Sequence, residues 1–273
     1  MTAHPDPSLL SPLKPRALGR VNWIGLAALM NKEVTRFLCV WVQTVAAPIV
    51  TTMLFLAVFT LALGRSLQVV GGVPFTQFLA PGLIMMSMIQ NAYANTSSSI
   101  VSSKMQGNIV DVVMAPLSAI ELLIGYAFGG MARGLMVGVV VALAMTPFAG
   151  ITLVHPLYAL FCAVAGSLML SFLGIIGGIW AEKHEQNAAV TNFIITPLAF
   201  LSGTFYSIER LPGVWNILAH FNPFFYMIDG FRYAFTGHAE APLIIGAAIM
   251  IGGNLCLGTL GWLMFRTGYR LRG

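Results

Sequence analysis

Leu201-Ser-Gly-Thr-Phe-Tyr206, Glu209-Arg-Leu-Pro212, Asn222-Pro223 and Asp229-Gly-Phe-Arg232-Tyr233 mark out one stretch, from Leu201 to Phe235, whose reading decides the fold. It is neither a clean membrane span nor a soluble domain. Trp215, Phe221, Phe224, Phe225, Tyr226, Phe231 and Phe235 favour a membrane-water boundary, where an amphipathic ring keeps one edge wet. Backbone broken by Pro212, Gly213 and Pro223 lies at membrane depth only if protein or a water-filled cavity satisfies its freed amide groups. The stretch therefore reads as a short re-entrant or interfacial hairpin leading into a last span. An ordinary loop with boundary aromatics is the alternative.

Outward from this hairpin, the rest of the chain reads as membrane. Of 273 residues, 58% are hydrophobic and 8% charged, against about 25% charged in a soluble domain. The few charges fall in islands, and each uncharged run between them holds a helix of about 20 residues, enough to cross a bilayer core. The expected architecture is an all-α integral membrane protein with six transmembrane helices, at about 38–63, 76–101, 119–146, 156–180, 188–206 and 242–265. A flexible tail, 1–18, and an amphipathic helix, 19–37, precede them, and a basic tail, 266–273, follows. In the amphipathic helix Trp23, Leu26, Met30, Val34 and Phe37 repeat at helical spacing, with Lys32, Thr35 and Arg36 opposite, a pattern suited to the membrane plane. Pro5, Pro7, Pro12 and Pro15 interrupt any signal-peptide core.

Six crossings put both ends on one side. Lys14, Arg16, Arg20, Lys32, Arg36, Lys104, Lys183, Arg266, Arg270 and Arg272 fall there, against Arg65, Arg210 and Arg232 on the other. That bias places both termini in the cytoplasm. The net charge of +5 thus serves orientation and lipid head groups, not nucleic acid.

Polar residues inside the spans carry the functional signal. In span two, Ser87, Asn91, Asn95 and Ser98 share one helical face, which should turn to protein or water and serves helix-to-helix hydrogen bonding or a substrate pathway. Span three carries Gly125, Gly129, Gly130, Gly134 and Gly138, spaced for close helix approach. Arg133 lies deep in the same run, at an insertion cost of about 2.5–3.5 kcal/mol for a central Arg; it should face the bundle interior or a wet cavity. Span five adds Asn192, Thr196 and a kink at Pro197. Between spans two and three, Lys104, Asn108 and Asp111 share one helical face and Met105, Ile109 and Val112 another, so a short interfacial helix stopped by Pro116 is expected rather than a plain loop.

Enzyme chemistry finds little support. Cys39, Cys162 and Cys256 lack any metal or disulfide spacing and read as small packing residues. Glu182-Lys-His-Glu185 reads as a solvated turn, and no metal or catalytic residue is assigned. No Gly is followed by Lys, so a GxxxxGK[ST] phosphate loop is absent.

The run FLSGTFYSIERLP, Phe200 to Pro212, followed by NPFFYMIDGFR, Asn222 to Arg232, resembles the signature of ABC-2-type transporter permeases, the membrane subunits of ABC exporters. GNIVDVVMAPLS, Gly107 to Ser118, is similar to that family's coupling region; Gln106 stands where many relatives carry an acid, which leaves Asp111 as the acid to serve. The resemblance implies an ATP-driven exporter subunit of the bacterial inner membrane, moving an amphipathic, lipid-linked or saccharide-bearing, or drug-like cargo outward. It implies two copies of the chain amid membrane lipids and a separate ABC ATPase subunit that holds the ATP and Mg, with no cofactor on this chain. Met105, Gly107, Ile109, Asp111, Pro116, Leu117 and Ser118 would couple to the ATPase, with Glu182 and Glu185 of the second turn. Ser87, Asn91, Asn95, Arg133, Asn192 and Thr196 would line the pathway, and Leu201, Phe205, Tyr206, Pro212, Asn222, Pro223, Asp229 and Arg232 would form the outer gate. An ion-coupled secondary transporter is the alternative, weakened because every acid lies at or outside a span end; an integral membrane enzyme is weaker still.

Overall fold

The computed structural model describes residues 19, 21–64, 68–70, 72–208 and 211–271. The expected N-terminal tail, Arg20, Arg65, Glu209, Arg210 and Arg272 lie outside the described residues.

The chain is a helical bundle: α1 (Trp23–Cys39), α2 (Trp41–Leu63), α3 (Phe75–Met105), α4 (Ile109–Met114), α5 (Ala119–Ala149), α6 (Pro156–Trp180), α7 (His184–Val190), α8 (Thr196–Phe200), α9 (Val214–Phe221), α10 (Pro223–Thr236) and α11 (Leu243–Thr267). A small antiparallel ribbon, β1 (Val69–Val70) with β2 (Val73–Pro74), precedes α3. Among the described residues, α2, α5, α6 and α11 are long and apolar enough to cross a membrane. The α3 helix is as long as α5, at 31 residues, but its Ser, Asn and Gln residues lower its hydropathy, and it sits at the centre of the bundle, where lipid contact is not needed. Most of it is buried from Phe75 to Val101.

Small residues set how closely the bundle closes. A Cβ at Gly174 of α6 would come within 2.6 Å of the Tyr93 carbonyl, and one at Gly130 of α5 within 2.9 Å of the Ala92 carbonyl. Both helices therefore lie directly on the α3 backbone, where only a missing side chain permits the approach. Thr96 reinforces the seam by donating to the Ser171 carbonyl of α6 at 3.0 Å.

Local chemistry fixes the helix ends. Ser118 caps α5 in a reciprocal box with Glu121, and α5 stops at Gly150 with φ 59°. Asn222 caps α10 and Pro223 occupies its first turn, where a missing N–H costs nothing.

Two expectations are corrected. The fifth span, expected over 188–206, is instead a segment running from His184 to Phe200, with a π-turn, Thr191–Ile195, inserted between α7 and α8. Pro197 lies two residues past that turn, in the first turn of α8, and cannot donate to the ladder; the wider turn before it accommodates its ring where a regular helix would clash with it. The α1 helix does not present the expected face either. Leu26, Leu29, Glu33 and Phe37 are buried, whereas Trp23 is exposed and Met30 and Val34 are half-buried. The helix turns a carboxylate inward because its neighbours supply partners for that charge.

Candidate functional site

The polar stripe of α3 and the deep arginine of α5 meet. Arg133 Nη2 donates to Asn91 Oδ1 at 3.2 Å. One turn along α3, Arg36 of α1 reaches the same face: its Nη2 donates to the Asn95 carbonyl at 2.6 Å and to Asn95 Oδ1 at 2.9 Å, and its Nη1 to Ser98 Oγ at 3.4 Å. Behind Arg36 sits Glu33, fully buried, which accepts from Ser99 Oγ at 2.7 Å and lies 3.3 Å from Arg36 Nη2 and 3.6 Å from Lys32 Nζ. Gly129 makes room for it, since a Cβ there would meet the Glu33 side chain at 2.5 Å. In front of the two arginines a cavity of about 510 Å³ opens between α1, α2, α3 and α5, with Ser87, Gln90 and Asn91 on its wall. Of the expected pathway residues, Ser87, Asn91 and Arg133 line this cavity, and Asn95 anchors it from behind. Asn192 and Thr196 are elsewhere: Asn192 is exposed and Thr196 half-buried on the α7–α8 segment. Sequence reasoning missed Glu33 and Arg36 here, because a charge on a helix assigned to the membrane plane reads as its wet face.

At one end of the bundle the expected interfacial helix is present as α4, a six-residue helix with Ile109 buried. Met105, Gly107, Asp111, Pro116 and Ser118 are exposed and Leu117 half-buried; Val110 and Met114 add exposed apolar surface. The face is braced from three sides. Asn22, at the start of α1, donates its N–H to Glu121 Oε1 at 2.6 Å and its Nδ2 to the Pro116 carbonyl at 3.0 Å. Glu121 Oε2 accepts from both the Ser118 N–H and hydroxyl at 2.6 Å. Lys104 Nζ donates to the Ile179 and Ala181 carbonyls at 2.7 Å each, closing the end of α6 beside the second charged turn. In that turn Glu182 lies 3.7 Å from Arg270, and both Glu182 and Glu185 are exposed. Ser118-Ala-Ile-Glu121 is a capping-box pattern that sequence reading could have found; the reach from Glu121 to Asn22 had no sequence signal.

The opposite end holds the hairpin, which is largely buried. Asn222 Oδ1 accepts from the Phe224 N–H at 3.0 Å while its Nδ2 donates to the Leu198 carbonyl at 2.6 Å. Asp229 accepts the Glu240 and Ala241 N–H groups, both at 3.0 Å. Arg232, 3% exposed, donates Nε to the Phe78 carbonyl at 3.1 Å and Nη2 to the Gly203 carbonyl at 2.7 Å, and its guanidinium lies 3.8 Å from the Phe78 ring centre. These three residues, with Pro223, tie α8, α10 and the Gly237–Pro242 connection to the head of α3. Phe205 stacks on Phe59 of α2 at 4.5 Å and on Phe200 at 5.1 Å; Tyr206 donates its hydroxyl to the Phe200 carbonyl at 3.3 Å. Leu201 is half-buried and Pro212 exposed.

Comparison with known proteins accords with this geometry. The family model for ABC-2 type transporters matches residues 25–236, which takes in α4, the cavity and the hairpin from Leu201 to Phe235. The inner membrane transport permease YadH of Escherichia coli K12 is 35% identical over 250 residues, covering 92% of this chain and 98% of its own length. Nodulation protein J of Rhizobium leguminosarum bv. trifolii is 24% identical over 226 residues, covering 81% of this chain and 83% of its own. With that span of match and the bundle described above, the chain belongs to the ABC-2 type transporter family as a membrane-embedded transport permease.

Proposed function

We propose that this chain is the membrane half of an ATP-driven exporter of the bacterial inner membrane, working as two copies with a separate ABC ATPase subunit that binds ATP and Mg. The observation that carries the reading is the braced α4 face. Met105, Asp111, Met114 and Pro116 are presented outward, yet the segment behind them is wired into α1, α3, α5 and α6 through Asn22, Glu121 and Lys104. Such a surface can receive a partner and pass its displacement into four helices at once. ATP biases two conformations only through their different contacts with that partner.

Six crossings fit the same reading. The contacts of Asn22, Lys104, Glu121 and Arg270 gather one end of the bundle, and those of Arg232, Asp229 and the Ala234 carbonyl, which accepts from Val154 and His155, gather the other. The connected helices α2, α3, α5, α6, α7–α8 and α11 run between them, with both termini and α4 on the cytoplasmic side. The cargo path runs past the cavity at Asn91 and Arg133, and the Phe59–Phe200–Phe205 cluster closes it towards the outside. The cargo is an amphipathic compound, lipid-linked, saccharide-bearing or drug-like.

The test is copurification with an ABC ATPase subunit from the same organism, followed by cargo-stimulated ATP hydrolysis in lipid. Asp111→Ala and Pro116→Ala should leave insertion intact and abolish the stimulation. Stimulation at the wild-type level in the double variant, or active transport by the purified chain alone, refutes the proposal.

A further inference from the structure

The cavity between α1, α2, α3 and α5 is unbalanced in charge. Arg36 and Arg133 are the two charged residues on its wall, and no carboxylate lines it among the described residues. Glu33, fully buried behind Arg36, is shared between Arg36 and Lys32 and makes no ion pair with Arg133 among the described residues.

Arg133 is also short of acceptors. Arg36 Nε and Arg133 Nε are buried and make no hydrogen bond to any described residue, and Arg133 has Asn91 Oδ1 as its acceptor. Asn91 and Asn95, which hold the two guanidinium groups, are one helical turn apart, about 5–6 Å between side-chain origins. The two guanidinium groups are thus anchored on successive turns of one helical face and both line the cavity, so one tetrahedral or planar anion could bridge them. Arg36 has Glu33 as its carboxylate; Arg133, deep in its helix, would be expected to find one too if it were structural, since an uncompensated buried charge is costly. Here the other polar wall residues, Gln43, Ser87, Gln90, Asn91, Ser98 and three threonines, are neutral. The volume, about 510 Å³, lies in the range of small-molecule sites and exceeds what a head group alone requires.

We infer that this cavity is an oxyanion site, which takes the phosphate- or carboxylate-type head of an amphipathic cargo between Arg36 and Arg133. The inference rests on the permease reading and narrows it: the cargo carries a negative charge at its polar end. Gln90, on the wall and without a hydrogen-bond partner of its own among the described residues, sets how tightly that head is held.

The experiment uses the full chain purified in detergent and measures binding of phosphatidic acid, phosphatidylcholine of the same acyl chains and inorganic phosphate by native mass spectrometry and by competition. Wild type should prefer phosphatidic acid over phosphatidylcholine by about tenfold or more, the ratio expected for one charge-assisted bond. Arg133→Gln should lose that preference and Arg133→Lys should keep most of it. Gln90→Glu, which adds a carboxylate to the wall while leaving both guanidinium anchors in place, should lose it too, and covers the case in which Arg133→Gln does not fold. Displacement of the lipid by inorganic phosphate assigns the recognition to the free anion; lipid binding that phosphate does not displace assigns it to head and chains together. Either supports the site. Equal binding of the two lipids by wild type, or an unchanged preference in Arg133→Gln or Gln90→Glu, overturns it. Capture of the ATPase is scored on the same preparation. A chain that captures its ATPase without head-group preference loses this site and keeps the permease reading; head-group preference without ATPase capture does the reverse.

Discussion

The two ends of the bundle solve opposite problems. At the hairpin end, polar groups are turned inward and used up: Arg232, Asp229 and Asn222 each spend their donors or acceptors on backbone groups of other segments, and all three are at most 3% exposed. At the α4 end the bracing groups Glu121 and Lys104 satisfy backbone behind a surface that stays open, with Asp111 and Met114 facing out. The difference teaches that similar motif density has two meanings. In the hairpin, a motif of charged and aromatic residues is an internal latch; around α4, it is a platform whose outward carboxylate, Asp111, makes no side-chain hydrogen bond among the described residues.

That contrast can be broken by substitution. The largest effect is expected at Arg232: Arg232→Leu removes two charge-assisted bonds, each worth about 1.5–3 kcal/mol, and leaves the buried Gly203 carbonyl without that donor. Unfolding in mixed micelles should show a loss of about 3 kcal/mol or more. Asp111→Ala, its counterpart on the exposed face, should change stability by less than about 0.5 kcal/mol. Equal losses for the two would erase the distinction. Next in size is Glu121→Ala, which frees the Ser118 and Asn22 N–H groups. A loss of about 1.5–3 kcal/mol is expected, together with increased proteolysis or hydrogen exchange at the start of α1, about 100 residues away in sequence. Exchange confined to the start of α5 would show that α1 is held by other means.

Ser118→Ala tests the cap alone and should cost about 1 kcal/mol, measured on the same unfolding curve, with α1 unaffected. The smallest effect concerns pH at the hairpin end. Burial pushes the Glu240 carboxyl above the usual carboxylate range, against the opposing influence of Arg232 and the Ile208 N–H. Folding therefore favours its protonated form. The stability it contributes is fully present below the unfolded value of about 4.3 and is lost as pH rises through the raised folded value. Cysteines at Leu201 or Tyr206 should accordingly become slightly more reactive towards a water-soluble thiol reagent as pH rises from about 4 upward, and Glu240→Gln should flatten that dependence.

Much of this was legible along the chain. The apolar runs gave α2, α5, α6 and α11 to within a few residues, the Ser87–Ser98 stripe gave the polar face of α3, and Pro116 gave the stop after α4. Pro197 signalled a disturbance, though not its form, a π-turn with the helix ending at Phe200. What periodicity could not show was which way α1 turns. Trp23 and Val34 are as apolar as Leu29, and only the space left by Gly125 and Gly129 on α5 selects the face carrying Leu29 and Glu33.

The sequence by itself determined that this chain is a membrane bundle with a broken hairpin before its last helix, because apolar run length, proline and charge placement act locally and need no neighbours to be read. The tertiary structure alone decided that Arg133 meets Asn91, that Arg36 and Glu33 turn inward beside it, and that Asn22 ties α1 to Glu121. A buried charge is placed by partners that lie tens of residues away, and their distances are set only when the helices pack.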